Sequence, residues 1–118
     1  MRTVQAKVLI VLLFLGLTGA AAQAASLKIE NETDTPIYKV YISPSSYTSF
    51  DLHDYLGDNI IESSETWVVQ WRAGDICHWD FRVIFRNGQR ATSYGNNLCV
   101  LNDPIWHVTA SNVDDSGD

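Results

Sequence analysis

The chain has 118 residues, the size of one small domain, with a formal net charge of −6. Its eight basic residues form no phosphate-neutralising patch, which excludes nucleic acid and anionic lipid as working partners.

The N-terminus reads as an export signal. Arg2 and Lys7 make a positive start, Val8 to Leu17 is an uncharged apolar run, and small residues follow. Ala22-Gln23-Ala24 fits the A-x-A cleavage pattern, so residues 1–24 are expected to be a signal peptide removed after Ala24. The competing reading is an uncleaved anchor, but the alanine-rich end is weakly hydrophobic for a spanning helix. No cysteine sits at the cleavage site and no twin arginine precedes it, so the general secretion route is the default. Cleavage would leave six basic residues against all 14 acidic ones, a formal net charge of −8. The expected location is periplasmic or secreted, with no membrane insertion once the signal is gone.

From Ser26 onward the dominant signal is alternation with a period of two. "SLKIEN" puts Leu27 and Ile29 on one face and Lys28 and Glu30 on the other. After a turn at Asp34-Thr35-Pro36, "PIYKVYIS" puts Tyr38, Val40 and Ile42 together, with Ile37, Lys39 and Tyr41 opposite. "TWVVQW" groups Trp67, Val69 and Trp71. "CHWDFRVIFR" is the clearest strand: Cys77, Trp79, Phe81, Val83 and Phe85 face one way, and His78, Asp80, Arg82 and Arg86 the other. Asn87-Gly88 tolerates positive φ and predicts a type I′ hairpin into "QRATSY". "LCVL" reads as a short strand, Asp103-Pro104 as a turn, and "IWHVTA" as a last strand with Trp106 and Val108 inward.

The fold class is therefore all-β: a small antiparallel two-sheet sandwich of six or seven strands, forming one domain over residues 25–110. Residues 111–118 are acidic and polar, and are expected to be a disordered tail. The four tryptophans lie in strands and are expected to fill the core; an exposed aromatic platform would need at least two of them on the solvent face. Cys77 and Cys99 are an even count in an exported chain and predict one disulfide, worth about 3 kcal/mol for a loop of this length. They are too far apart for a C-x-x-C redox pair.

The loop "YISPSSYTSFDLHDYLGDN" is the chief candidate for function. Read as a short helical turn within residues 44–58, capped by Thr48 or Ser49 and ended by Gly57, it buries Leu52 and Leu56. Asp51, Asp54 and Asp58 then fall at i, i+3 and i+7 on one solvent face. They are weak candidates for a calcium or small-ligand site, because carboxylates along a helix diverge rather than converge on an ion. Ser43, Ser45 and Ser46 lack a nucleophile elbow or an oxyanion loop, and read as backbone-satisfying hydroxyls at a strand exit. No catalytic residue, cofactor site or metal site is expected.

Asp80 and Arg82 share the outer stripe of the central strand. Asp80 is read as a clamp that accepts N–H bonds from the covering loop; the alternatives are pairing to Arg82 or to an arginine of the hairpin mate such as Arg90, and a ligand-binding carboxylate. Asn31-Glu32-Thr33 fits a glycosylation sequon.

The segments "NETDTPIYKVYISPSS", "DYLGDNII", "CHWDFRVIFRNG" and "NLC" resemble a loosely defined group of small exported bacterial proteins. The resemblance spans most of the mature domain. It implies a compact exported β-domain from a bacterium, in which the sequon goes unused, and it implies no chemistry. The group often carries Trp-Gly after the serine tract where this chain has Phe50-Asp51, so a ligand read by that loop need not be shared. The function these readings favour is non-enzymatic binding in the cell envelope. The acidic balance suits a cationic envelope or secreted protein as partner.

Overall fold

The computed structural model describes residues 24–114. The expected signal peptide up to Gln23 and residues 115–118 of the tail lie outside the described residues. Seven strands form: β1 (Ala24–Glu32), β2 (Ile37–Pro44), β3 (Thr66–Arg72), β4 (His78–Phe85), β5 (Arg90–Asn97), β6 (Ile105–Thr109) and β7 (Val113–Asp114). They build a three-stranded sheet ordered β3-β1-β6 and a four-stranded sheet ordered β2-β4-β5-β7. Among the described residues no helix is long and apolar enough to cross a membrane.

The alternation sets which faces meet. Leu27 and Ile29 from β1, Val69 and Trp71 from β3 and Val108 from β6 pack against Val40 and Ile42 of β2 and Trp79, Phe81, Val83 and Phe85 of β4. Trp71 meets Trp79 and Phe81 edge-on across the sheets, with centroids 5.6 and 6.0 Å apart. Trp67 and Trp106 pack against the same core, so all four tryptophans contribute to it. The disulfide Cys77–Cys99 forms as expected and ties the start of β4 to the turn after β5.

Several details differ from the sequence expectation. The sandwich is not wholly antiparallel: β1 pairs with β6 in parallel. The whole of β2 to β5 serves as the crossover that a parallel pair requires. A register shift between Ile37 and Lys39 breaks the alternation in β2. As a result Ile37 and Val40 are both buried and Tyr38 is exposed, because an extra residue reverses the phase of the strand. Ile37 also exchanges two backbone hydrogen bonds with Ile61, which draws Ile61 into the core.

The β4–β5 hairpin exists, but its turn is not type I′. Gly88 N–H donates to Phe85 O, and Phe85 N–H to Gln89 O, so three residues form the loop. Only Gly88 takes a positive φ (88°), as in a type I turn closed by a left-handed glycine. "LCVL" forms no strand; Leu98 to Val100 is a turn held by the disulfide. The domain also runs past residue 110. A 3-10 turn (Ala110–Asn112) carries the chain into β7, where Val113 packs on the core and pairs with Ala91. Asp114 pairs with Arg90 beside it, through the ladder and a 3.6 Å ion pair.

Candidate functional site

The loop after β2 is fastened at both ends and along its middle. At its start Ser45 N–H donates to His78 O, continuing the β2–β4 ladder. Ser43 Oγ accepts the Asp51 N–H at 2.6 Å, and Ser45 Oγ donates to Asp80 Oδ1 at 2.7 Å. Ser43 and Ser45 therefore satisfy the backbone and the clamp. Farther on, Asp54 Oδ1 accepts N–H bonds from Val40 and Leu56, both at 3.0 Å, while Tyr55 N–H donates to Val40 O. β2 is an edge strand, so this segment covers its free backbone groups. Leu56 closes the segment by filling the core.

No helical turn forms between residues 44 and 58. Asp51 bonds the His53 N–H and Asp54 bonds the Leu56 N–H, local bonds that compete with helix formation. With the helix goes its pattern of faces. Leu56 is 2% exposed but Leu52 is 74% exposed, against the expectation that both are buried. Asp51 and Asp58 point to solvent while Asp54 turns inward to the strand. Among the described residues the three aspartates do not gather their oxygens at one point. Tyr55 sits half-buried beneath the loop, and burial, then the Asp51 charge, raises its phenol pKa. Its ring meets His53 edge-on at 4.5 Å.

Asp80 is placed by a bulge. Trp79 pairs with Asn96 and Phe81 with Ser93, so Tyr94 and Gly95 together oppose Asp80. Gly95 takes φ 67° there, and its N–H donates to Asp80 Oδ1 at 2.8 Å. Asp80 thus ties the loop to β5 through one oxygen, as a clamp rather than as an ion pair with Arg82. Arg82 instead donates to Thr92 Oγ1 at 2.9 Å and to the Tyr94 hydroxyl at 3.2 Å, and Phe50 from the loop lies over its guanidinium at 4.3 Å. Between loop and sheet remains a cleft of about 300 Å³ lined by Tyr47, Phe50, Asp80, Arg82 and Tyr94.

Two clusters were missed in the sequence. Asn31 is fully buried: its amide donates to Thr35 O and Ile61 O, and its oxygen accepts from the Thr33 N–H and hydroxyl. The sequon asparagine is thereby a core residue with no free amide. The second is Glu30, Glu32 and His107 on the outer face of the three-stranded sheet, brought together by the parallel β1–β6 pairing. A histidine two residues from a strand start, 75 positions from its partner, carries no local signal.

No protein-family model matches the sequence, and no curated protein matches it. Among solved structures, the fold is similar to an NMR structure of a protein from Eubacterium rectale. The TM-score is 0.49 and the identity 10%, over 78% of this chain and 87% of that one.

Proposed function

We propose that this is an exported, non-enzymatic binding protein of the cell envelope that presents the loop of residues 45–59 to a partner with a cationic surface. The observation that carries the reading is Leu52. It is a large apolar side chain left 74% exposed on a loop whose flanks are fixed by Ser43, Asp80 and Asp54. A prefixed loop loses little conformational entropy on docking, so an exposed leucine on it is an efficient anchor. Asp51 and Asp58 flank it, and the chain is acidic, which suits a basic rim on the partner and accelerates encounter. The signal-like N-terminus and the disulfide support export.

The test is capture from an envelope extract by immobilised wild type, Leu52→Asp, and Val68→Ser as a control on the other sheet. One specific band should be retained by wild type and the control, lost with Leu52→Asp, and weakened by salt. Equal capture by wild type and Leu52→Asp removes the loop from the interface. Capture that ignores salt removes the cationic partner.

A further inference from the structure

We propose that Glu30, Glu32 and His107 form a surface site for a divalent transition-metal ion, for which zinc is the natural probe. The site lies on the three-stranded sheet, away from the loop, and does not depend on the binding function proposed above.

The placement follows from register. In the parallel β1–β6 pair Glu30 stands opposite His107, and Glu32 lies two residues on, on the same face. His107 Nδ1 is 2.9 Å from Glu30 Oε1 and 2.6 Å from Glu32 Oε2, and all three donor atoms lie within 4.8 Å of one another. One ring nitrogen carries at most one proton, so it cannot fully satisfy two carboxylates. The nearest cation on that face is Lys28, and its ammonium turns away to Asp103 at 3.3 Å. Two carboxylates side by side therefore share one proton's hydrogen-bonding capacity. A doubly charged ion in place of that proton answers all three groups at once.

The donor set selects the class of ion. An imidazole nitrogen with two carboxylate oxygens is a zinc-type set, whereas calcium and magnesium take oxygen alone. Donors at about 2.0–2.2 Å from a tetrahedral zinc lie roughly 3.3–3.6 Å apart, so the two contacts to His107 need only a small opening. His107 and Glu32 are exposed and Glu30 is half-buried, so their rotamers can supply it. Three protein donors leave the fourth position to water or to a donor from another molecule.

The experiment is calorimetric titration of zinc chloride into the purified, tag-free protein, with wild type, Glu32→Gln and His107→Gln. Wild type should take up one ion per chain, and each variant should bind at least about tenfold more weakly. Calcium and magnesium should give no comparable heat. In wild type, NMR should show zinc moving the His107 ring signals and leaving those of His53 and His78 in place, a readout that depends on no variant. No binding up to about 1 mM zinc overturns the site. So does full affinity in both variants, or a shift at the other histidines instead.

Discussion

The hydroxyl of Ser45 donates a 2.7 Å hydrogen bond to Asp80, a carboxylate 35 positions along the chain and 9% exposed. The same oxygen takes the Gly95 N–H at 2.8 Å, so a single atom joins loop, β4 and β5. Replacing Asp80 with alanine leaves a hydroxyl and a backbone N–H without their charged acceptor. Bonds to a charged group are worth about 1.5–3 kcal/mol each, so Asp80→Ala should cost roughly 3 kcal/mol. Asp80→Asn keeps one acceptor oxygen and should cost about half as much. Urea unfolding of the two variants measures this, and equal losses would show that a neutral oxygen cannot replace the charged one in the clamp.

Asp54 protects an edge. Its carboxylate caps the Val40 N–H of β2, the outer strand of the four-stranded sheet. Asp54→Ala should lower stability by about 1–2 kcal/mol through the two N–H groups it releases. It should also permit edge-to-edge pairing, read as a concentration-dependent rise in mass by light scattering. A monomeric variant at all concentrations would show that the Tyr55 bond to Val40 O is protection enough.

These contacts explain how far the sequence could be read. The core faces of β1, β3 and β4 were legible because burial on one side imposes alternation, and Leu27, Ile29, Trp79 and Phe81 carry it plainly. The disulfide followed from the even cysteine count and the expected export. Asp80 is expected to take N–H bonds from the loop, whereas the loop gives it the Ser45 hydroxyl and the N–H comes from Gly95 on β5. The loop was not legible, because Asp51 and Asp54 could face solvent along a helix or bond the nearby backbone. The edge of β2, a long-range feature, decided between them. The bulge in β2 was hidden for a related reason: Ile37 is drawn inward by Ile61, 24 positions later. The Glu30–Glu32–His107 cluster depends on which strands become neighbours, and alternation within a strand says nothing about that.

Asn31 makes a sharper test of the buried network than its removal would. In Asn31→Asp the shape is kept, but two donors to Thr35 O and Ile61 O become an oxygen facing two oxygens. The loss should be about 3–5 kcal/mol at neutral pH, the range for an uncompensated buried charge. The introduced carboxyl has a raised folded-state pKa, so its protonated form is the better tolerated one. The penalty should shrink as pH falls toward the ordinary carboxylate range, read by urea unfolding of variant and wild type in parallel. A penalty independent of pH would mean that the carboxyl titrates alike in the folded and unfolded states.

His107 should titrate above the usual histidine range in metal-free protein. The hydrogen bond with Glu32 is the largest cause, burial opposes it, and the charges of Glu32 and then Glu30 add to it. Lys28, the cation on the same face, is held by Asp103 and does not counter them. The sign follows from linkage: a histidine with a raised folded-state pKa stabilises the fold below its unfolded value of 6.5. That contribution is lost as pH rises through the folded-state value. NMR titration of the ring in the presence of a chelator measures the midpoint directly. Glu32→Gln should bring it down toward the usual value, and Glu30→Gln should move it less, because Glu30 contributes the smaller share. Equal shifts from the two substitutions would place His107 midway between the carboxylates rather than on Glu32.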